Sequence, residues 1–169
     1  TNGDNTSLLF NKLDASASGL LNTVSDQKYG DDNGVKWGYT STPGASGGSA
    51  SEDMGSKGSG EFFDTGWWAT SSGKIEYGFE VEPGTYTVST GFNEWWGSTR
   101  GITITVSSVD EDGESTVLAS GSASLSSGKT QDRNNLDIVV PEDTDHILVT
   151  VTKASGGDPV LSWIGIIQT

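Results

Sequence analysis

The sequence predicts an all-β fold, an antiparallel β-sandwich of the jelly-roll kind, and three observations carry that expectation. Its apolar residues fall in short runs rich in Ile, Val, Tyr, Phe and Trp. Gly, Ser, Asp and Pro separate these runs. In the clearest runs the apolar positions recur at every second residue, the period of a strand with one buried face. The 169 residues, 32% of them hydrophobic, suit one domain over 1–169 with a single core. Twenty-four glycines and long Ser/Thr/Gly stretches point to extended loops in place of helical connections.

Along the chain, Leu8, Leu9, Phe10, Leu13, Leu20 and Leu21 are read as strands, although their spacing also suits a short helical turn. Trp37-Gly38-Tyr39 precedes a segment from Ser41 to Gly60 in which twelve of twenty residues are Gly or Ser. This segment is expected to form a long surface loop within the domain, of the kind that shapes binding sites. From Ile75 to Val81, apolar Ile75, Tyr77, Phe79 and Val81 alternate with Glu76, Gly78 and Glu80. Glu82-Pro83-Gly84-Thr85 has the Pro and Gly placement of a type II turn, which predicts a hairpin with the strand carrying Tyr86, Val88 and Phe92. Ile102, Ile104 and Val106 repeat the alternation, and Asp112-Gly113 marks the next turn. Thr116 to Ala119, Leu136 to Val140, His146 to Val151 and Val160 to Ile167 complete the strands. Short strands at this spacing suit two packed sheets.

Nine basic residues against twenty-three acidic ones give a net charge of -14, whose field repels phosphates and anionic lipid heads. Nucleic acid is therefore excluded as a partner. No apolar run approaches the ~20 residues of a membrane-spanning helix, so membrane insertion is not expected. The chain starts at Thr1, which fits a processed or excised segment, and it contains no cysteine for disulfides or thiolate metal sites. This acidic, Ser/Thr/Gly-rich composition fits a bacterial extracellular or cell-surface protein acting as a monomer.

Six tryptophans stand out in so polar a domain: Trp37, Trp67, Trp68, Trp95, Trp96 and Trp163. A lone Trp in a sandwich usually fills core. Adjacent side chains of extended chain point to opposite faces, however, so Trp67-Trp68 and Trp95-Trp96 each direct one ring away from a one-sided core. Carrying the inward phase of Tyr86, Val88 and Phe92 forward by twos places Glu94 and Trp96 inward and Trp95 with Asn93 outward. Trp95 is thus the expected stacking ring for a sugar, whose C–H face packs on an indole. Asn93, Glu94 and Arg100 are placed to bind its hydroxyls, and Trp96, Trp37, Tyr39, Trp67 and Trp68 are companion candidates. Arg100 is equally suited to be an ion-pair partner of Glu94.

The run Tyr77-Gly78-Phe79-Glu80-Val81-Glu82-Pro83-Gly84-Thr85-Tyr86-Thr87-Val88, then Gly91-Phe92-Asn93-Glu94 and Arg100 before Ile102-Thr103-Ile104, resembles the central hairpin of malectin-like, galactose-binding-like carbohydrate modules. Leu161-Ser162-Trp163-Ile164-Gly165-Ile166 is similar to their last strand. The resemblance implies a jelly roll that binds glycans through loops at one end, as an appendage to a glycoside hydrolase and often with a structural calcium ion. The Ser/Gly-rich segment and Trp95-Trp96 depart from malectin, so its sugar preference does not carry over. For calcium, the hard oxygens of Asp26, Asp31 and Asp32, beside Asn33, are candidate ligands, and Asp110, Glu111 and Asp112 form a second acidic group. Neither has EF-hand spacing, and an acidic solvated turn is the favoured reading of both.

The function expected is therefore a non-catalytic carbohydrate-binding module that targets a secreted or cell-surface glycoside hydrolase to a neutral oligo- or polysaccharide by tryptophan stacking. Its other partners would be modules of the same polypeptide. The alternatives are a structural or adhesive surface domain, and a small glycosidase using Asp64 and Glu94 beside tryptophans. The one histidine, His146, opens an apolar strand with no nucleophile motif near it and is read as structural.

Overall fold

The computed structural model describes residues 8–10, 23–24, 28–30, 36–40, 50–53, 65–127 and 131–169, among which every regular element is a strand. One sheet runs in the order β10 (Gln131–Val140), β7 (Gly84–Asn93), β13 (Trp163–Gln168), β1 (Leu8–Phe10) and β2 (Thr23–Val24). The other runs β3 (Trp37–Tyr39), β6 (Lys74–Phe79), β11 (Thr144–Gly156), β8 (Arg100–Asp110) and β9 (Ser115–Leu125). A small third sheet joins β12 (Val160–Leu161), β5 (Thr65–Trp68) and β4 (Ala50–Asp53). Among the described residues β1 and β2 pair in parallel, as does the isolated bridge between Lys28 and Tyr39, and the other ladders are antiparallel. The all-β sandwich expectation holds.

Alternation builds the core. Ile75, Tyr77 and Phe79 of β6, Ile102, Ile104 and Val106 of β8, and Ile147, Val149 and Val151 of β11 present one apolar face. Tyr86, Val88 and Phe92 of β7, Ile138 and Val140 of β10, and Ile164 and Ile166 of β13 present the other, and all belong to one buried cluster. Each side chain of this size contributes ~1.5–3 kcal/mol on full burial.

The expected hairpin around Pro83-Gly84 does not form. β6 pairs with β3 and β11, whereas β7 pairs with β10 and β13, so the turn carries the chain from one sheet to the other. The inward phase was right because two strands that face each other across a core show the same alternation as two strands side by side. The turn at Asp112-Gly113 is a true hairpin: β8 pairs with β9, Gly113 has φ 83°, and its N–H donates to Asp110 O at 3.0 Å.

The Ser41 to Gly60 segment also departs from expectation, since β4 lies within it. Ala50 pairs with Trp68 and Glu52 with Gly66. Ala-Ser-Glu-Asp has little strand propensity of its own, so the pairing offered by β5 decides its conformation. Of the leucines read as early strands, Leu8 and Leu9 lie in β1, while Leu13, Leu20 and Leu21 lie outside the described residues.

Candidate functional site

The alternation of β7 ends at Ser89, and Thr90 to Trp95 are all buried in succession. An ion pair is buried at the end of this run. The Glu94 carboxylate accepts hydrogen bonds from Arg100 Nε and, at 3.2 Å, from Arg100 Nη2, with both residues almost fully buried. Its Oε1 also accepts the Trp96 backbone N–H at 2.7 Å. Burial pushes the Glu94 pKa up, but hydrogen bonds from Arg100 and from the Ser98 and Trp96 backbone, together with the Arg100 charge, outweigh it. The net effect holds the carboxyl below its ordinary value of 4.5. Glu94 thus closes the β7–β8 loop upon itself, and Gly97, at φ 80°, supplies the turn.

This loop overturns the expected phase of the tryptophan pair. Trp95 is 7% exposed and Trp96 is 46% exposed, so Trp95 is the inward ring and Trp96 the outward one. The Trp95 indole lies over Gly66 of β5, where a Cβ would stand 2.2 Å from Cη2. Burial is continuous from Thr90 to Trp95, so the alternation that would place Trp95 outward does not reach the loop.

Arg100 joins a second segment to the first. Its Nη1 donates to the backbone carbonyl of Asp158 at 2.5 Å, and its guanidinium carbon lies 5.3 Å from the centre of the Trp96 ring. Gly156 permits the approach: it has φ 68°, and a Cβ there would stand 2.1 Å from Thr99 O. The result is an open cleft of about 310 Å³ lined, among the described residues, by Trp68, Trp96, Arg100 and Asp158. Trp68 reaches it because β5 directs Trp67 and Trp68 to opposite faces; Trp67 packs edge-on against Tyr39 at 5.7 Å.

Among the expected site residues, then, the structure brings Trp68, Trp96 and Arg100 together, with Glu94 behind them. Glu94 is Arg100's partner and is not presented to the cleft. Asn93 sits on β7 opposite Gln131 of β10 and is fully buried. Trp37 and Tyr39 lie on β3, half-buried against the core next to Phe79 and Tyr77. Asp158 was missed. It is a turn residue before Pro159, and its link to Arg100 spans 58 residues of sequence, so no local pattern marks it. Trp163 covers Gly91 of β7 with Arg133 5.6 Å from its ring, and at 7% exposure it presents little surface.

Asp26, Asp31 and Asp32, the calcium candidates, and Asp64 lie outside the described residues. Among the described residues no three His, Asp or Glu side chains are grouped to hold a metal ion. Asp110 serves its own turn instead, its Oδ1 accepting the N–H groups of Asp112 and Glu114 at 3.0 and 2.8 Å. His146 Nδ1 lies 2.8 Å from Asp145 Oδ2, and its ring packs 5.2 Å from that of Tyr29.

No protein-family model matches the chain, and a comparison with curated proteins finds no match. Solved structures do share its architecture. The CBM22-1 xylan-binding domain of Xyn10C from Paenibacillus barcinonensis aligns with a TM-score of 0.53 at 9% identity, over 79% of this chain and 86% of that one. The CBM22-1 and GH10 modules of Clostridium thermocellum endo-1,4-beta-D-xylanase 10B, complexed with xylohexaose, align with a TM-score of 0.52 at 16% identity. That match covers 79% of this chain and 26% of the xylanase fragment. Beta-glucuronidase 2 of Bacteroides uniformis gives 0.58 at 20% identity over 96% of this chain and 18% of the enzyme. This chain therefore has the β-sandwich fold found in carbohydrate-binding modules and in glycoside hydrolases that carry such domains.

Proposed function

We propose that this chain is a non-catalytic carbohydrate-binding module that holds a neutral glycan in the cleft between Trp68 and Trp96. One observation carries the reading: two indoles line the same cleft as an arginine and an aspartate residue, a combination that offers a pyranose an apolar surface and polar partners at its edge. Arg100 has five N–H groups, of which three are taken by Glu94 and the Asp158 carbonyl. The shared fold with xylan-binding CBM22 modules supports the same class of ligand. An extracellular or cell-surface setting and attachment to a glycoside hydrolase belong to this proposal.

Catalysis by Glu94 is disfavoured on chemical grounds. A glycosidase acid needs a raised pKa and access to the leaving oxygen, whereas Glu94 is buried, paired with Arg100 and held below its ordinary pKa. The test is isothermal titration against a panel of soluble neutral plant and microbial glycans. Binding to at least one of them, lost in Trp96→Ala with the fold intact, is expected; no binding to any glycan overturns the proposal.

A further inference from the structure

The two walls of the cleft come from different parts of the chain. Trp96 is carried by the loop between β7 and β8, and Trp68 by β5, which pairs with β12. Trp68 lies opposite Val160 in that pairing, and the Ala69 N–H donates to Pro159 O at 3.1 Å. Asp158 immediately precedes this segment.

The guanidinium of Arg100 stands between the walls, and the residue is only 5% exposed. Its Nε and Nη2 donate to Glu94, whose Oε1 also accepts the Trp96 backbone N–H, so one edge is fastened to the loop that carries Trp96. Its Nη1 donates to Asp158 O at 2.5 Å, which fastens the other edge to the segment that holds Trp68. Guanidinium donors lie in one plane and in a fixed fork, so these bonds set where one indole stands relative to the other.

Gly157 makes room for this arrangement. A Cβ there would stand 2.8 Å from Arg100 Nη1 and 3.2 Å from its Cζ. Gly156 has φ 68°, whereas Gly157 has no positive φ, so what its position requires is space beside the guanidinium.

We propose that Arg100 and Gly157 are positioning residues of the glycan cleft: the guanidinium, admitted by Gly157, joins the Trp96 loop to the Trp68 segment and holds the two indoles in place before a sugar binds. A cleft formed in advance spares the ligand the ordering of its walls, which is worth up to about tenfold in Kd for one large side chain. The inference rests on the glycan-binding reading above and deepens it.

The test is Gly157→Ala, which crowds Arg100 away from Asp158 and alters no residue that lines the cleft. Gly113→Ala is the control: Gly113 has φ 83° in the turn at the far end of β8 from Arg100, so Ala there costs stability without reaching the cleft. The Trp96 indole N–H is followed by NMR in isotope-labelled protein and identified by its loss in Trp96→Phe. Xylohexaose and the other neutral oligosaccharides of the panel are titrated into each variant well below its Tm. In Gly157→Ala the Trp96 signal is expected to move or broaden and Kd to rise about tenfold. In Gly113→Ala both should stay native although Tm falls. Arg100→Lys keeps a charge for Glu94 but has no fork with which to reach Asp158 as well, and it should reproduce both effects even if Gly157→Ala does not fold. A native Trp96 signal and a native Kd in Gly157→Ala or Arg100→Lys overturn the inference. So does an equal loss of affinity in Gly113→Ala, which would make the effect one of stability alone. Failure of the native chain to bind any glycan of the panel overturns the proposed function, and this inference with it.

Discussion

Replacing Trp96 and Trp95 separately by Ala tests the site most directly, because the structure assigns the two neighbours opposite roles. Trp96 is about half exposed, and its contacts are the edge of Trp95 at 5.7 Å and the Arg100 guanidinium at 5.3 Å. Losing them costs about 1 kcal/mol of stability, which for a chain of this size lowers Tm by only about 2–4 °C. Losing the central aromatic anchor of a binding site costs about 2 kcal/mol of binding, or roughly 30-fold in Kd. Trp95 is buried among Gly66 and the core, and its truncation leaves a large cavity worth about 3–5 kcal/mol, a fall in Tm on the order of 10 °C. Calorimetric melting and glycan titration of both variants read the two effects separately. A Trp95→Ala protein that melts normally but binds nothing, beside a Trp96→Ala protein that barely folds, would refute the loop register described above.

Further expectations follow from the same loop. Glu94→Gln leaves Arg100 buried without its counter-charge and should destabilise the domain by about 3–5 kcal/mol, with Glu94→Gln/Arg100→Met less damaging than the sum of the single changes; denaturant melts of the cycle decide it. Because the folded-state pKa of Glu94 lies below its ordinary 4.5, the unfolded chain takes up the proton first as pH falls. The Glu94 contribution is therefore complete above that value and is lost as pH drops through the folded pKa. Melting between pH 7 and pH 2 should show a loss of stability below about pH 4.5 that is smaller in Glu94→Gln, with a residual part from Glu76, whose pKa is also lowered: burial raises it, and bonds from Lys74, Thr40 and Thr150 outweigh that. Gly91→Ala would place a methyl 1.9 Å from Trp163 Nε1 and should lower stability by about 1–3 kcal/mol; a Tm unchanged within error would show that the indole does not lie on β7. Calcium binding through Asp26, Asp31 and Asp32, expected from the family resemblance, should raise Tm, and an unchanged Tm with and without EDTA overturns that expectation.

What could be read in the sequence was local. The alternation of Ile75, Tyr77 and Phe79 against Glu76 and Gly78 fixes which side of β6 is buried, because a pleated strand leaves no other choice. The partner of β6 could not be read, since β11 begins 65 residues further on than Phe79 and nothing near Pro83 distinguishes a hairpin from a crossing between sheets. Trp68, Trp96 and Arg100, which line the cleft, were recognisable as candidates by type. The face taken by Trp96 was not, because burial runs unbroken from Thr90 to Trp95 and leaves no alternation to carry forward, and Asp158 enters the cleft only through a contact between distant loops.

The position of β13 governs how the protein can be made. This strand lies between β7 and β1 in the middle of its sheet, pairing Trp163 with Gly91 on one side and Ile166 with Leu8 on the other. A ribosome that has produced everything up to β12 holds a sheet with its centre missing, whose flanking strands expose unpaired backbone and half a core. The pairings with β7 and β1 form only after β13 emerges, and they must then close loops of more than seventy residues. Folding by this route is slow, on the millisecond-to-second scale of β-proteins rich in distant contacts. One sheet can therefore assemble from β3, β6, β8, β9 and β11 while the other still waits for its central strand.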